Sequence, residues 1–437
     1  MRSVLAGWLL LTMLLVGPAL AQGPAGSNHR GLIPEQELNR LGLTRSWWGH
    51  AVMNRQRDKL SHLTADEKLV VGQSSTGVVS AFDAESGKLK WYKQPGTTDS
   101  PAYPAAYNDK YVFIIHGSRL SALKRDTGVE AFTLGLPSQP SSSAIADDKQ
   151  IYFGCLDGSI FAYDLVKTEE LHRDGKLPEF ADVALIWRYR TSRPIPDRPV
   201  LQGSQVVFSS LNGSVYAVSA LDRKLAFQFE TDAALSAPMA RYKDLLILAS
   251  EDFNVYAIDL SSGRLRWQFT TGLTIKQPPV VVGDDVYVLP ERGSMYKANA
   301  RTGERLWTRA GVKSFLSASP KRLYVVDTRN NMLVLNRETG DPLGTLPLNA
   351  FTQRLTNTVS DRIYLGTESG FICALREQSR EFPTLHQRPQ MQPLSPTIST
   401  DKPEAKAADA EGEMNAEESS DEDPAAEAEA TPEDEDQ

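Results

Sequence analysis

One hairpin recurs along this chain at intervals of about 40 residues, and a fixed period of that length narrows the fold to a propeller or a solenoid. Its clearest copy is Val255–Trp267, V-Y-A-I-D-L-S-S-G-R-L-R-W. Val255–Ile258 reads as a short strand with a small residue inside it. Asp259–Gly263 reads as a tight turn, because Asp and Ser side chains bond nearby amides and Gly accepts positive φ without steric cost. Arg264–Phe269 reads as a second strand carrying Trp267. With Ala257 as the phase marker, the equivalent positions are Ala81, Ala122, Ala162, Ala217, Ala257, Lys297, Val334 and Ala374. Their spacings are 41, 40, 55, 40, 40, 37 and 40, and the long gap holds an insertion, Lys167–Asp182.

Ten residues past the marker stand Trp91, Phe132, Phe227, Trp267 and Trp307; allowing for the insertion, Trp187 joins them. Trp91, Trp187, Trp267 and Trp307 are therefore assigned to blade stacking, the small marker of one blade leaving room for the large ring of the next. Every repeat supplies four short strands, as the sixth does with Pro278–Val282, Val286–Leu289, Ser294–Ala298 and Arg305–Arg309. The second strands are the most apolar, among them Tyr111–Ile115, Val206–Phe208 and Leu245–Leu248. The eighth repeat has no aromatic ten residues after Ala374, where Thr384 stands, so its outer strand is missing. Thr44–Met53, with two Trp and no partner of its own, can fill that place. The fold expected is all-β: an eight-bladed β-propeller of four-stranded antiparallel blades, its ring closed by an N-terminal strand, which removes exposed edges.

The ends differ from the body. Val4–Val16 is an apolar run after a basic start, and Ala19-Leu20-Ala21 fits a cleavage site, so residues 1–21 read as a signal peptide. No Cys follows that run, and no other segment is apolar enough to span a bilayer. Residues 22–43 form a polar arm and a short helix over Pro34–Leu43, residues 44–383 the propeller, and residues 384–437 a disordered acidic tail. The whole chain carries −8, whereas residues 401–437 hold 16 acids and two Lys, leaving +6 elsewhere. Cys155 and Cys373 fall in the third and eighth repeats, which are not neighbours in a ring, so two buried thiols are expected.

The unit A-x-D-x-x-[ST]-G-x-x-x-W, standing as Ala81…Asp83…Ser86-Gly87…Trp91 and as Ala257…Asp259…Ser262-Gly263…Trp267, resembles the repeat of the pyrroloquinoline-quinone-type (PQQ-like) propeller family. The likeness covers about residues 44–380, with partial copies at Thr127-Gly128, Thr302-Gly303 and Thr339-Gly340. Size and layout are nearest to the propeller subunit of the outer-membrane β-barrel assembly machinery. This resemblance implies a non-catalytic interaction scaffold of the periplasm or cell envelope. The family also holds quinoprotein dehydrogenases, whose vicinal Cys pair is missing here. Two alternatives therefore stay open, a quinone-dependent oxidoreductase and a carbohydrate or surface-polymer binding module.

No chemistry-bearing constellation stands out. The six His show no metal-ligand spacing, and the Gly-Ser pairs occupy one repeated turn rather than a nucleophile elbow. Asp147-Asp148 and Asp284-Asp285 fall at turns. No cofactor and no nucleic-acid partner is expected, and the chain is expected to be monomeric. The feature singled out is charge on the face shared by the second-to-third-strand turns and the blade connections. Blades six to eight place Lys276, Arg292, Lys313, Arg329 and Arg354 there, and blades three to five Asp157, Asn212, Glu251 and Asp252. The basic sector fits an acidic segment of a protein partner, or the chain's own tail.

Overall fold

The computed structural model describes residues 32–97 and 100–386. The expected signal segment, most of the expected polar arm and the chain from residue 387 onward lie outside the described residues. Eight four-stranded antiparallel sheets follow one another, each running inside to outside in chain order. Blade one, for example, is Leu60–Ala65, Leu69–Ser74, Val79–Asp83 and Leu89–Lys93. Blade eight breaks the order: Gln353–Arg354, Ile363–Gly366 and Phe371–Glu377 are joined by Leu43–His50 from the other end of the chain. That strand sets Trp47 opposite Ala374, the same register that Ala257 shares with Trp267. The aromatic missing from the eighth repeat is thus supplied by the N-terminal strand.

The apolar core is divided. Eight clusters of buried side chains occupy the eight seams between blades; the seam of blades five and six, for instance, holds Ile247, Ala257, Trp267, Val286 and Ala298. Ring and marker behave differently from the sequence expectation. The marker Ala faces the ring of its own blade across the strand pair, and the ring then covers the turn glycine of the next blade. A Cβ on Gly303 would lie 2.6 Å from the Trp267 indole, and one on Gly263 2.4 Å from the Phe227 ring. Both glycines have positive φ. The close approach therefore requires Gly twice over, for its backbone and for its missing side chain. Each indole N–H also donates into the next blade: Trp47 to the Ala84 carbonyl, Trp91 to Arg125, Trp187 to Ala220, Trp267 to Ala300 and Trp307 to Arg337, at 2.7–3.3 Å. The turn before the ring is tied by its aspartate. Asp259 accepts from Ser261, Ser262 and Arg266, and these bonds hold its carboxyl well below the usual carboxylate range.

Three local features depart from the sequence reading. The N-terminal helix is Glu35–Arg40, shorter than the Pro34–Leu43 expected, because Gly42 turns the chain at φ +66 into the closing strand. Its neighbour Leu41 fills the gap beside Gly344, the blade-seven position that lacks an aromatic. The insertion in blade three folds as a helix, Leu165–Arg173, capped by the Asp164 carboxylate, followed by a 3-10 turn, Ala181–Ala184. Packed chain also runs to His386 rather than stopping at Pro383: Leu385 is buried and bridges Ser360. Cys155 and Cys373 are buried and unbonded, their thiols pushed up to about 12 by burial. Among the described residues, no helix is long and apolar enough to cross a membrane.

Candidate interaction surface

The face that joins second-to-third-strand turns to blade connections is built to a common plan in blades three to five. Thr191, Thr231 and Thr271 open the three connections at intervals of 40. Each donates its amide and its hydroxyl to the carbonyl of its own blade's turn: Thr191 to Gly158, Thr231 to Gly213, Thr271 to Phe253. Each hydroxyl also lies within 2.6–2.8 Å of the carbonyl two residues on. These pins turn loops into a firm surface, which lowers the ordering cost of binding. The period of 40 was visible in the sequence, but the hydroxyl's double duty was not.

The five basic residues of blades six to eight all lie on this face, and they fall into two groups. Lys276 pairs with Glu291 at 3.4 Å, and the Lys313 ammonium donates to Asn330 Oδ1 at 3.2 Å. Arg354 donates to the Phe351 and Leu348 carbonyls and to Asn330 Oδ1, and desolvation lowers its pKa. These three hold loops in place. Arg292 and Arg329 stand exposed at the turn tips. Lys276 and Lys313 are exposed as well, so the sector presents four exposed cations, two of them contacting neighbouring loop residues, and one half-buried arginine, Arg354.

The acid pairs are used within the fold. Asp147 caps its own turn through the Lys149 and Gln150 amides. Asp284 accepts from Tyr242 and Lys243. Asp285 is half of a substitution in the repeat: Lys297, standing where six other blades have Ala, is buried with its ammonium 3.2 Å from Asp285 and bonded to the Arg337 carbonyl, while Arg337 reaches the same carboxylate at 3.0 Å. On the opposite face, Arg362 is only 1% exposed and binds Glu85 of blade one at 2.9 Å, Asp361, and the Arg380 and Glu381 carbonyls. It bolts the closing seam and the strap that leads to His386. Among the described residues, no group of three or more His, Cys, Asp or Glu converges as metal ligands.

Similarity to known proteins fits this geometry. The family model described as outer membrane protein assembly factor BamB matches residues 47–151 and 171–344, more than half of the chain. The chain belongs to the BamB family of PQQ-like propellers. Among solved structures it is similar to BamB from Moraxella catarrhalis, at 16% identity and a TM-score of 0.60, over 77% of this chain and 98% of that one. It is similar also to the computationally designed Ika8 protein, at 14% identity and a TM-score of 0.59, over 73% and 96%. Both likenesses are of fold. No curated protein matches the sequence.

Proposed function

We propose that this BamB-family chain is a non-catalytic scaffold that docks protein or peptide partners on its turn-and-connection face, within the cell envelope and in the service of outer-membrane protein assembly. The observation that carries this reading is family membership over most of the propeller, joined to a loop face pinned by three threonines. Export would follow from residues 1–21, which carry the apolar run and its small-residue end. The protein would work as a monomer, binding through loops and by strand addition along outer strands. The acidic tail would act as a competing ligand for Arg292 and Arg329.

Proximity cross-linking in the native envelope, followed by identification of the linked peptides, tests the reading. Cross-links from the pinned face to outer-membrane assembly proteins are the expected result. A protein linked to nothing on that face, or one that turns over a dye with added quinone, overturns it. Truncation before residue 401 should strengthen partner binding and its salt dependence; no change removes the tail from the account.

A further inference from the structure

We propose that Phe253 anchors a docking surface between blades five and six for a protein segment that sets an apolar residue beside lysines or arginines. The inference rests on the scaffold reading above and names the partner chemistry of the blade-five side of that face, apart from the basic sector of blades six to eight.

The second-to-third-strand turn ends in a left-handed residue in every blade. Six blades use glycine there (Gly77, Gly117, Gly158, Gly213, Gly293 and Gly370), and blade seven uses Asn330. Blade five uses Phe253, at φ +74. A bulky side chain in this region is disfavoured by its own Cβ, whereas Gly, and to a lesser degree Asn, enter it readily. The ring is only partly covered by the fold. Phe253 is 45% exposed, and its backbone does what Gly158 and Gly213 do without a side chain: its carbonyl accepts from Thr271. A strained aromatic held in solvent by a pinned loop points to use rather than packing.

Its surroundings define what it would hold. Leu273, on the connection pinned by that same bond, is 41% exposed and lies over the Gly293 turn. Leu89, Leu225, Leu265 and Leu306 are exposed on outer strands, and Leu156 on the blade-three turn; Phe253 and Leu273 share the loop face on segments joined through the Thr271 hydroxyl. Asp232, Glu251 and Asp252 flank the pair on the blade-five side, with Asp252 fixed by the Tyr256 hydroxyl at 2.8 Å and by the Asp232 amide. An aromatic anchor with an acidic rim is complementary to an apolar residue with a basic flank.

The test selects a random peptide library displayed on phage against the full-length protein and measures the recovered peptides on variants. Wild type should recover peptides with an aromatic or large aliphatic residue next to Lys or Arg. Phe253→Gly should weaken them at least about tenfold while the melting temperature holds or rises, since glycine relieves the turn. Asp252→Asn with Glu251→Gln should flatten their salt dependence, and Leu225→Ser should bind as wild type. Recovered peptides that bind Phe253→Gly normally overturn the inference and leave the scaffold reading standing. A lower melting temperature for Phe253→Gly also overturns it, because the ring would then be structural. Failure to recover any peptide, together with an envelope that yields no cross-links to this face, removes both.

Discussion

Blades three to five and blades six to eight solve one packing problem in two ways. In blades three to five each seam is closed by a ring beside an alanine marker, Trp187, Phe227 and Trp267 over Ala162, Ala217 and Ala257. In blades six and seven the pattern decays to Lys297, Val334 and Gly344, while blade eight regains it with Trp47 opposite Ala374. Sequence decay of that kind invites a search for function in those blades. The structure fills the decayed places with other packing devices: Lys297 and Arg337 on Asp285, Leu41 beside Gly344, and Arg362 on Glu85. Degeneracy there marks an ion cluster in place of the blade-six alanine marker and a helix neighbour in place of the blade-seven ring. The position that breaks a local backbone rule while leaving its ring half exposed, Phe253, stands in the regular half. A broken repeat is thus a weaker pointer to function than a kept repeat with one costly residue.

The sharpest way to break this comparison is to delete one device from each half. Trp267→Ala should lose about 3–5 kcal/mol as a buried-ring deletion, and Arg362→Ala a similar amount because Asp361 is left buried without its cation. Urea unfolding measures both; an unchanged midpoint for either would mean that its seam is not held as described. Next is acid. Burial, and then the nearby Arg337 charge, push the His386 ring down from 6.5 to about 4. Between these values the unfolded chain binds the extra proton and the folded chain does not. Stability should therefore fall as pH drops from about 6.5 and level off near 4, by up to about 3 kcal/mol. Burial lowers His62 and His116 as well. The His386→Asn variant should lose its share of that pH slope, and parallel slopes for variant and wild type would refute the assignment. Lys297→Ala restores the repeat consensus but breaks the ion cluster. Asp285 keeps Arg337, so the loss should be only about 1–2 kcal/mol by calorimetry. A gain would show that the ionic seam is inferior to the aromatic one. The smallest effect belongs to Thr231→Val, about 1 kcal/mol, seen as faster amide exchange around Gly213 and not around Gly158.

Much of the fold was legible in the chain. Period, marker and aromatic fixed eight blades, and the missing ring after Ala374 called for the strand that brings Trp47 to it. The surface was legible only in outline. Lys276, Lys313 and Arg354 looked like Arg292 and Arg329 in sequence, yet their side chains are engaged by Glu291, Asn330 and loop carbonyls. Phe253 was hidden because E-D-F-N reads as a polar turn, and nothing in its letters reports φ. The stacking rule was read with the right complementarity and the wrong partner, since small-beside-large does not say whether the ring belongs to the same blade or the next.

Sequence alone determined the repeat, the strand order within each blade and the need for closure. These follow from periodic apolar pattern and turn chemistry, which act between residues close along the chain. Tertiary structure alone decided which ring covers which glycine, which cations are engaged by neighbouring loops, and which aromatic stays half exposed on a left-handed turn. Those depend on residues far apart in sequence, 277 positions in the case of Glu85 and Arg362. The ring brings them together only once it has closed.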